Sequence, residues 1–92
     1  MIHTFASVET EALFYSQNVK RFKNIERIAR RKLLQIHAAT VVESLRIPPG
    51  NRLEALRGDL KGLHSIRIND QWRVFFEWRA DGAYQVDIVD YH

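Results

Sequence analysis

The chain has 92 residues, which is enough for one small domain and little more. It carries no cysteine, so disulfides, thiolate chemistry and cysteine-based zinc sites are excluded, which suits a reducing cytoplasm. A net charge of +3 leans towards an anionic partner, and ten of the 14 basic residues are arginine, whose planar fork suits phosphate. The N-terminal stretch lacks the basic-then-apolar order of a signal peptide, and no apolar run approaches the roughly 18 residues of a membrane span.

In chain order, Ile2 to Phe5 reads as a short edge strand. Ser7, followed by Glu9 and Glu11, caps a helix over Val8 to Ser16 that ends at Gln17-Asn18. A second helix is expected from Lys23 to Ala39, capped by Asn24, with Ile25, Ile28, Ala29, Leu33 and Ile36 on one face. Leu34 falls on its polar side. Seven basic residues lie between Lys20 and Lys32 against one acid, Glu26. Lys20, Arg21, Lys23, Arg27, Arg30 and Arg31 form either a solvated face or an electrostatic track for nucleic acid. Thr40 is placed to cap a short helix, Val41 to Arg46, which Pro48-Pro49-Gly50-Asn51 stops. Arg52 to Arg57 reads as a strand running into a charged glycine loop, Gly58 to Gly62.

From His64 onward the chain alternates, as half-buried strands do. Ile66 and Ile68 share one face; Ser65, Arg67 and Asn69 share the other. Trp72, Val74, Phe76 and Trp78 form the next apolar set, opposite Arg73, Phe75, Glu77 and Arg79. Apolar meets apolar only if Ile66 pairs with Val74, which demands a three-residue loop, Asn69 to Gln71, because a one-residue slip flips every side chain. Arg67 and Arg73 then stand opposite each other. Two like charges side by side cost stability, so they need either carboxylates (Glu77, Asp87 or Asp90) or a bound anion. A second three-residue loop, Ala80 to Gly82, pairs Trp78 with Tyr84, Phe76 with Val86 and Val74 with Ile88. It returns Asp90, Tyr91 and His92 beside the arginines, with Tyr91 on their face. Helices first and an antiparallel sheet after them make an α+β fold, with the helices on one sheet face.

The Leu-Arg-Gly-Asp segment at 56–59, the Ser-Ile-Arg-Ile-Asn-Asp-Gln-Trp-Arg-Val run at 65–74 and the terminal Asp-Tyr-His resemble the RelE/ParE toxin superfamily, and HigB toxins in particular. The resemblance covers nearly the full length and implies a ribosome-dependent endoribonuclease that cuts translated mRNA. It also implies a HigA-like helix-turn-helix antitoxin, with operator DNA bound only through the antitoxin complex. Carried over motif by motif, it puts Arg73, Asp90, Tyr91 and His92 in the active site. The family often has lysine where Arg57 stands and histidine-proline where Glu54-Ala55 stand, so Arg57 suits phosphate contact rather than proton transfer.

RNA can be cut without metal or cofactor when its 2′-hydroxyl attacks the adjacent phosphorus. Arg67 and Arg73 would stabilise the crowded phosphorane, and His92, titrating near neutrality, would move protons. Asp90 would orient His92, and Tyr91 would stack or hydrogen-bond. Arg57, Lys61 and Phe75 complete the substrate contacts. Trp72 and Trp78 belong to the core, and His3 and His37 look incidental. Two other readings use the same residues: a ParE-like inhibitor of DNA gyrase that cuts no RNA, and an inactive toxin that keeps only antitoxin binding.

Overall fold

The sequence's two periodicities separate into two layers in the computed structural model, which describes residues 1–91. Two helices, α1 (Val8–Phe14) and α2 (Glu26–Ala38), pack on one face of a four-stranded antiparallel sheet. The strands β1 (Glu54–Ala55), β2 (Leu63–Arg67), β3 (Trp72–Arg79) and β4 (Gly82–Asp90) lie in chain order across it. The α+β arrangement read from the sequence holds.

Between the layers lie Leu13, Phe22, Ala29, Leu33 and Ile36 from the helical half and Ile66, Val74, Phe76, Val86 and Ile88 from the sheet. Truncating an aromatic in such a core costs about 3–5 kcal/mol, through lost transfer energy and the cavity left behind. Trp72 packs edge-on against Phe22 at 5.5 Å within the core, and Trp78, partly buried at its margin, stands edge-on to Phe76 at 6.3 Å.

Ser7 caps α1 as expected, its Oγ accepting from Thr10 N at 3.1 Å. The helix stops at Phe14, and Ser16 adopts a left-handed φ of 64°. Asn24 does not cap α2. A 3-10 turn at Lys20–Phe22 feeds straight into the helix, Ile25 takes the cap position, and Ile25 N donates to Phe22 O, so no side chain is needed. Ile28 is 43% exposed because it sits about 100° of helix rotation from Ala29, at the margin of the apolar stripe. Leu34 is 52% exposed, on the polar side where its spacing put it. Thr40 caps nothing either: Val42–Arg46 is a 3-10 turn whose cap position is Val41, without a side-chain bond. The expected strand from Arg52 shrinks to Glu54–Ala55, since Arg52 itself is left-handed at φ 47°.

Parity reads the first hairpin correctly. Ile66 pairs with Val74 and Arg67 with Arg73, across the loop Asn69 to Gln71. Asn69 Oδ1 accepts from both Gln71 N and Trp72 N at 2.8 Å, which stiffens that loop. The second hairpin departs from expectation. Its loop has two residues, Ala80 and Asp81, so Arg79 pairs with Gly82, Trp78 with Ala83 and Glu77 with Tyr84. One extra residue in β4 then bulges out opposite Phe76, with Gln85 at φ 55°, and restores Val74 to Ile88. The N-terminal segment explains the bulge. Ile2 and Phe5 bridge β4 in parallel, Gln85 N donates to Thr4 Oγ1, and Val86 N donates to Thr4 O. The expected N-terminal strand is thus a pair of isolated bridges. The two incidental histidines serve this dock: His37 Nδ1 accepts from Ile2 N, and His3 Nε2 meets Asp81 O at 2.8 Å.

Candidate functional site

On the sheet face away from the helices, adjacent rows of paired residues bring Glu54, Ser65 and Phe75 beside Arg67 and Arg73. Sequence parity treats this face as wet throughout, but Ser65 is fully buried. Arg73 lies down over it, its Nη1 donating to Ser65 Oγ at 3.3 Å, with only 15% of the side chain exposed. Tyr91 covers the guanidinium from outside, Arg73 Cζ standing 4.8 Å above its ring. Phe75 meets Tyr91 edge-on at 6.1 Å, so Phe75 supports the tyrosine from the sheet. A cation held against a buried hydroxyl and a ring face is preorganised, with little freedom left to lose when an anion arrives.

The arginine pair divides its labour. Arg67 and Arg73 are aligned in the ladder, but their heads part: Arg67 is bonded to Asp70 in the loop, and Arg73 has Glu54 Oε1 at 3.8 Å. The carboxylates that relieve the like-charge contact are therefore Asp70 and Glu54. Glu77 pairs with Arg79, and Asp87 accepts from Thr10 Oγ1. Asp90 closes the edge of the site, pairing with Trp72 in the ladder and accepting from Gln71 Nε2 at 3.1 Å, while Tyr91 N donates to Gln71 O. Tyr91 stands on the arginine face, as parity required. His92 lies outside the described residues.

Beside Arg73 opens a groove of about 580 Å³ walled by Leu53, Glu54, Leu56, Arg57, Leu60 and Tyr91. Its volume falls within the range of small-molecule sites, roughly 300–1,000 Å³. Arg57 faces it without a carboxylate partner among the described residues, whereas Lys61 sits just past its rim, capping the 3-10 turn Gly58–Leu60. The wall is anchored from below: buried Asn51 donates to Gln35 Oε1 and Leu45 O and accepts from Lys32 Nζ at 2.5 Å. Burial, with Arg31 nearby, lowers the pKa of Lys32. On the opposite sheet face His64 stacks on Phe76, its Nδ1 is buried without a partner among the described residues, and its pKa is lowered chiefly by burial, against the opposing pull of Glu43.

The basic track between Lys20 and Arg31 separates in the same way. Arg21 pairs with Glu9 at 3.2 Å and lies over the rings of Phe22 and Trp72, and Arg30 Nε donates to Leu13 O. Both are tied into the fold. Lys20, Lys23, Arg27 and Arg31 are exposed. The groove and Ser65 are what sequence reasoning missed. Glu54 was visible only as a departure from a motif, and nothing in an alternating pattern announces that one polar position is sealed.

Known proteins resemble this chain in sequence and fold. A family model described as a RelE-like toxin of the type II toxin–antitoxin system HigB matches residues 7–92. Toxin HigB-1 of Vibrio cholerae serotype O1 is 48% identical over 69 residues, covering 75% of this chain and 72% of that protein. An uncharacterized protein of Haemophilus influenzae is 36% identical over 55 residues, 60% of this chain and 54% of that one. Among solved structures, YafQ from E. coli strain BL21(DE3) superposes with a TM-score of 0.62 at 14% identity, over 98% of this chain and 93% of that one. The YoeB-YefM complex from Staphylococcus aureus gives 0.57 at 17% identity, over 100% of this chain and 98% of the matched one. At such identities the two structures speak to the fold alone.

Proposed function

Because the chain belongs to the HigB-like family of RelE-like type II toxins, we propose that it is a ribosome-dependent endoribonuclease that stops translation by cutting mRNA. The observation that carries this reading is Arg73, pinned on a rigid sheet by Ser65 and Tyr91 at the mouth of an open groove. The 2′-hydroxyl of the RNA attacks the neighbouring phosphorus, and charge gathers on the phosphorane oxygens against the Arg73 guanidinium. Fixed charge aimed at such a point is usually the largest catalytic contribution. The bond to the 5′-oxygen breaks, leaving a 2′,3′-cyclic phosphate and a free 5′-hydroxyl. His92 moves the protons, and Asp90 orients it. Tyr91 stacks or hydrogen-bonds at the site, and Arg57 and Lys61 hold flanking phosphates. Arg67, engaged with Asp70 in the loop, contributes less than Arg73. The 2′-hydroxyl requirement confines the reaction to RNA.

Ribosome dependence, a HigA-like antitoxin, operator repression by their complex and a cytoplasmic setting are part of the same proposal, by analogy with the family. Two observations are compatible with them: one structural neighbour is a complex, YoeB-YefM, and no described helix is long and apolar enough to cross a membrane. The test is to induce the protein alone and map RNA 5′ ends. In-frame cuts in translated mRNA, lost in His92→Ala, are expected. Growth arrest with intact mRNA and altered DNA supercoiling would replace this reading with a gyrase inhibitor; no arrest would leave an inactive toxin.

A further inference from the structure

The groove beside Arg73 has the makings of a base pocket, and one of its walls carries a chemical preference. Leu53, Leu56 and Leu60 supply its apolar part, and Tyr91, 39% exposed, gives it an aromatic side. Stacking on such a surface tolerates any base. Glu54 does not. Its carboxylate, 54% exposed and 3.8 Å from the Arg73 guanidinium, is the acid of the wall. An ionised carboxylate only accepts hydrogen bonds, through two oxygens held side by side. When an RNA phosphate takes Arg73, the Glu54 carboxylate is free to accept from a base that enters the groove.

The four bases answer that need differently. Guanine presents two adjacent donors on its Watson–Crick edge, N1–H and the N2 amino group, which match the two carboxylate oxygens. Adenine and cytosine each offer one amino group next to a ring nitrogen lone pair. Uracil offers one N–H flanked by two carbonyl oxygens. In each of the last three cases a lone pair faces the carboxylate. Resting on the nuclease reading of this site, we propose that Glu54 makes the groove a guanine pocket, which reads the nucleotide adjoining the phosphate held by Arg73. Arg57, on the same wall, meets the backbone of that nucleotide.

The test uses the wild-type protein and Glu54→Gln, which keeps the size of the side chain and replaces one acceptor by a donor. A carboxamide pairs with adenine through its amino group and N1, and equally with guanine through N1–H and O6, so it no longer favours guanine's paired donors. Mapped 5′ ends from cells expressing the wild type should show guanine enriched about fivefold or more over adenine on one fixed side of the cut, the low end of what a bidentate base contact discriminates. Glu54→Gln should remove that enrichment. The same base distribution in both proteins overturns the pocket and leaves the nuclease standing. If the wild type cuts no RNA, the nuclease reading fails, and the pocket is judged on binding alone. Guanosine 3′-monophosphate and adenosine 3′-monophosphate are then titrated into the purified proteins and followed by amide NMR shifts. A guanine preference that Glu54→Gln removes supports the pocket; equal binding of the two nucleotides by the wild type rejects it.

Discussion

The two hairpins share β3, and they obey different masters. The first, β2 with β3, follows its own side chains: parity alone sets its register, and Asn69 locks the loop that parity demands. The second, β3 with β4, starts one residue out of that pattern and recovers it only after the bulge at Gln85. The difference lies in what else touches the strands. The other neighbour of β2 is the two-residue β1, which imposes almost nothing, whereas β4 must also satisfy Met1 to Ala6 along its outer side. A strand's register is local when one neighbour dominates it and tertiary when two neighbours compete.

The largest expected effect separates the two arginines of the first hairpin. Arg73→Ala should lower mRNA cleavage on programmed ribosomes by about 100-fold or more, the usual cost of a preorganised charge at the reacting centre. Arg67→Ala should cost roughly tenfold or less, because its guanidinium is held by Asp70 in the loop and does not line the groove. Equal losses, measured in single-turnover assays, would mean that the pair acts as one unit and that the geometry of Arg73 confers nothing special.

Next comes the second hairpin. Gly82 has φ 137°, and a Cβ there would lie 2.2 Å from Met1 O. Gly82→Ala should therefore destabilise the protein by at least about 2 kcal/mol in urea unfolding, through strain and displacement of the N-terminal segment. Activity per folded molecule should persist, because Gly82 opens β4 at the end opposite to Asp90 and Tyr91. A folded but inactive variant would show that the two hairpins are not independent.

The smallest effect belongs to the first loop. Asn69→Ala frees two backbone N–H groups and should cost about 1 kcal/mol. The register should not change, since parity sets it. An altered pairing of Ile66 with Val74, read from cross-strand NOEs, would show that the loop dictates the register instead.

What was legible in the sequence follows the same division. The layers, the order of the strands and the alignment of Arg67 with Arg73 come from periodicities of two and 3.6, which act through nearest neighbours. The caps proposed at Asn24 and Thr40 failed because backbone turns at Lys20–Phe22 and Val42–Arg46 supply those helix entries. The second loop failed because its determinant, Met1 to Ala6, lies nearly eighty residues away. Alternation exposed the arginines, but it could not show that Ser65 is sealed beneath one of them. Nor could it show that Glu54 would stand beside Arg73, a contact between strands that are not adjacent in the sheet. Paired residues are written in a pattern; heads that meet across an intervening strand are not.

The docked N-terminus also settles how this sheet ends. A strand at a border offers unpaired N–H and C=O groups to any passing chain and invites sheet-to-sheet polymerisation. Along β4 those groups are taken in sequence: Ala83 N by Met1 O, Ala83 O by His3 N, Val86 N by Thr4 O and Val86 O by Ala6 N. At the far border stands β1, two residues long and too short to template another strand. A sheet closed on one side by its own first residues and on the other by brevity has little room for growth by strand addition.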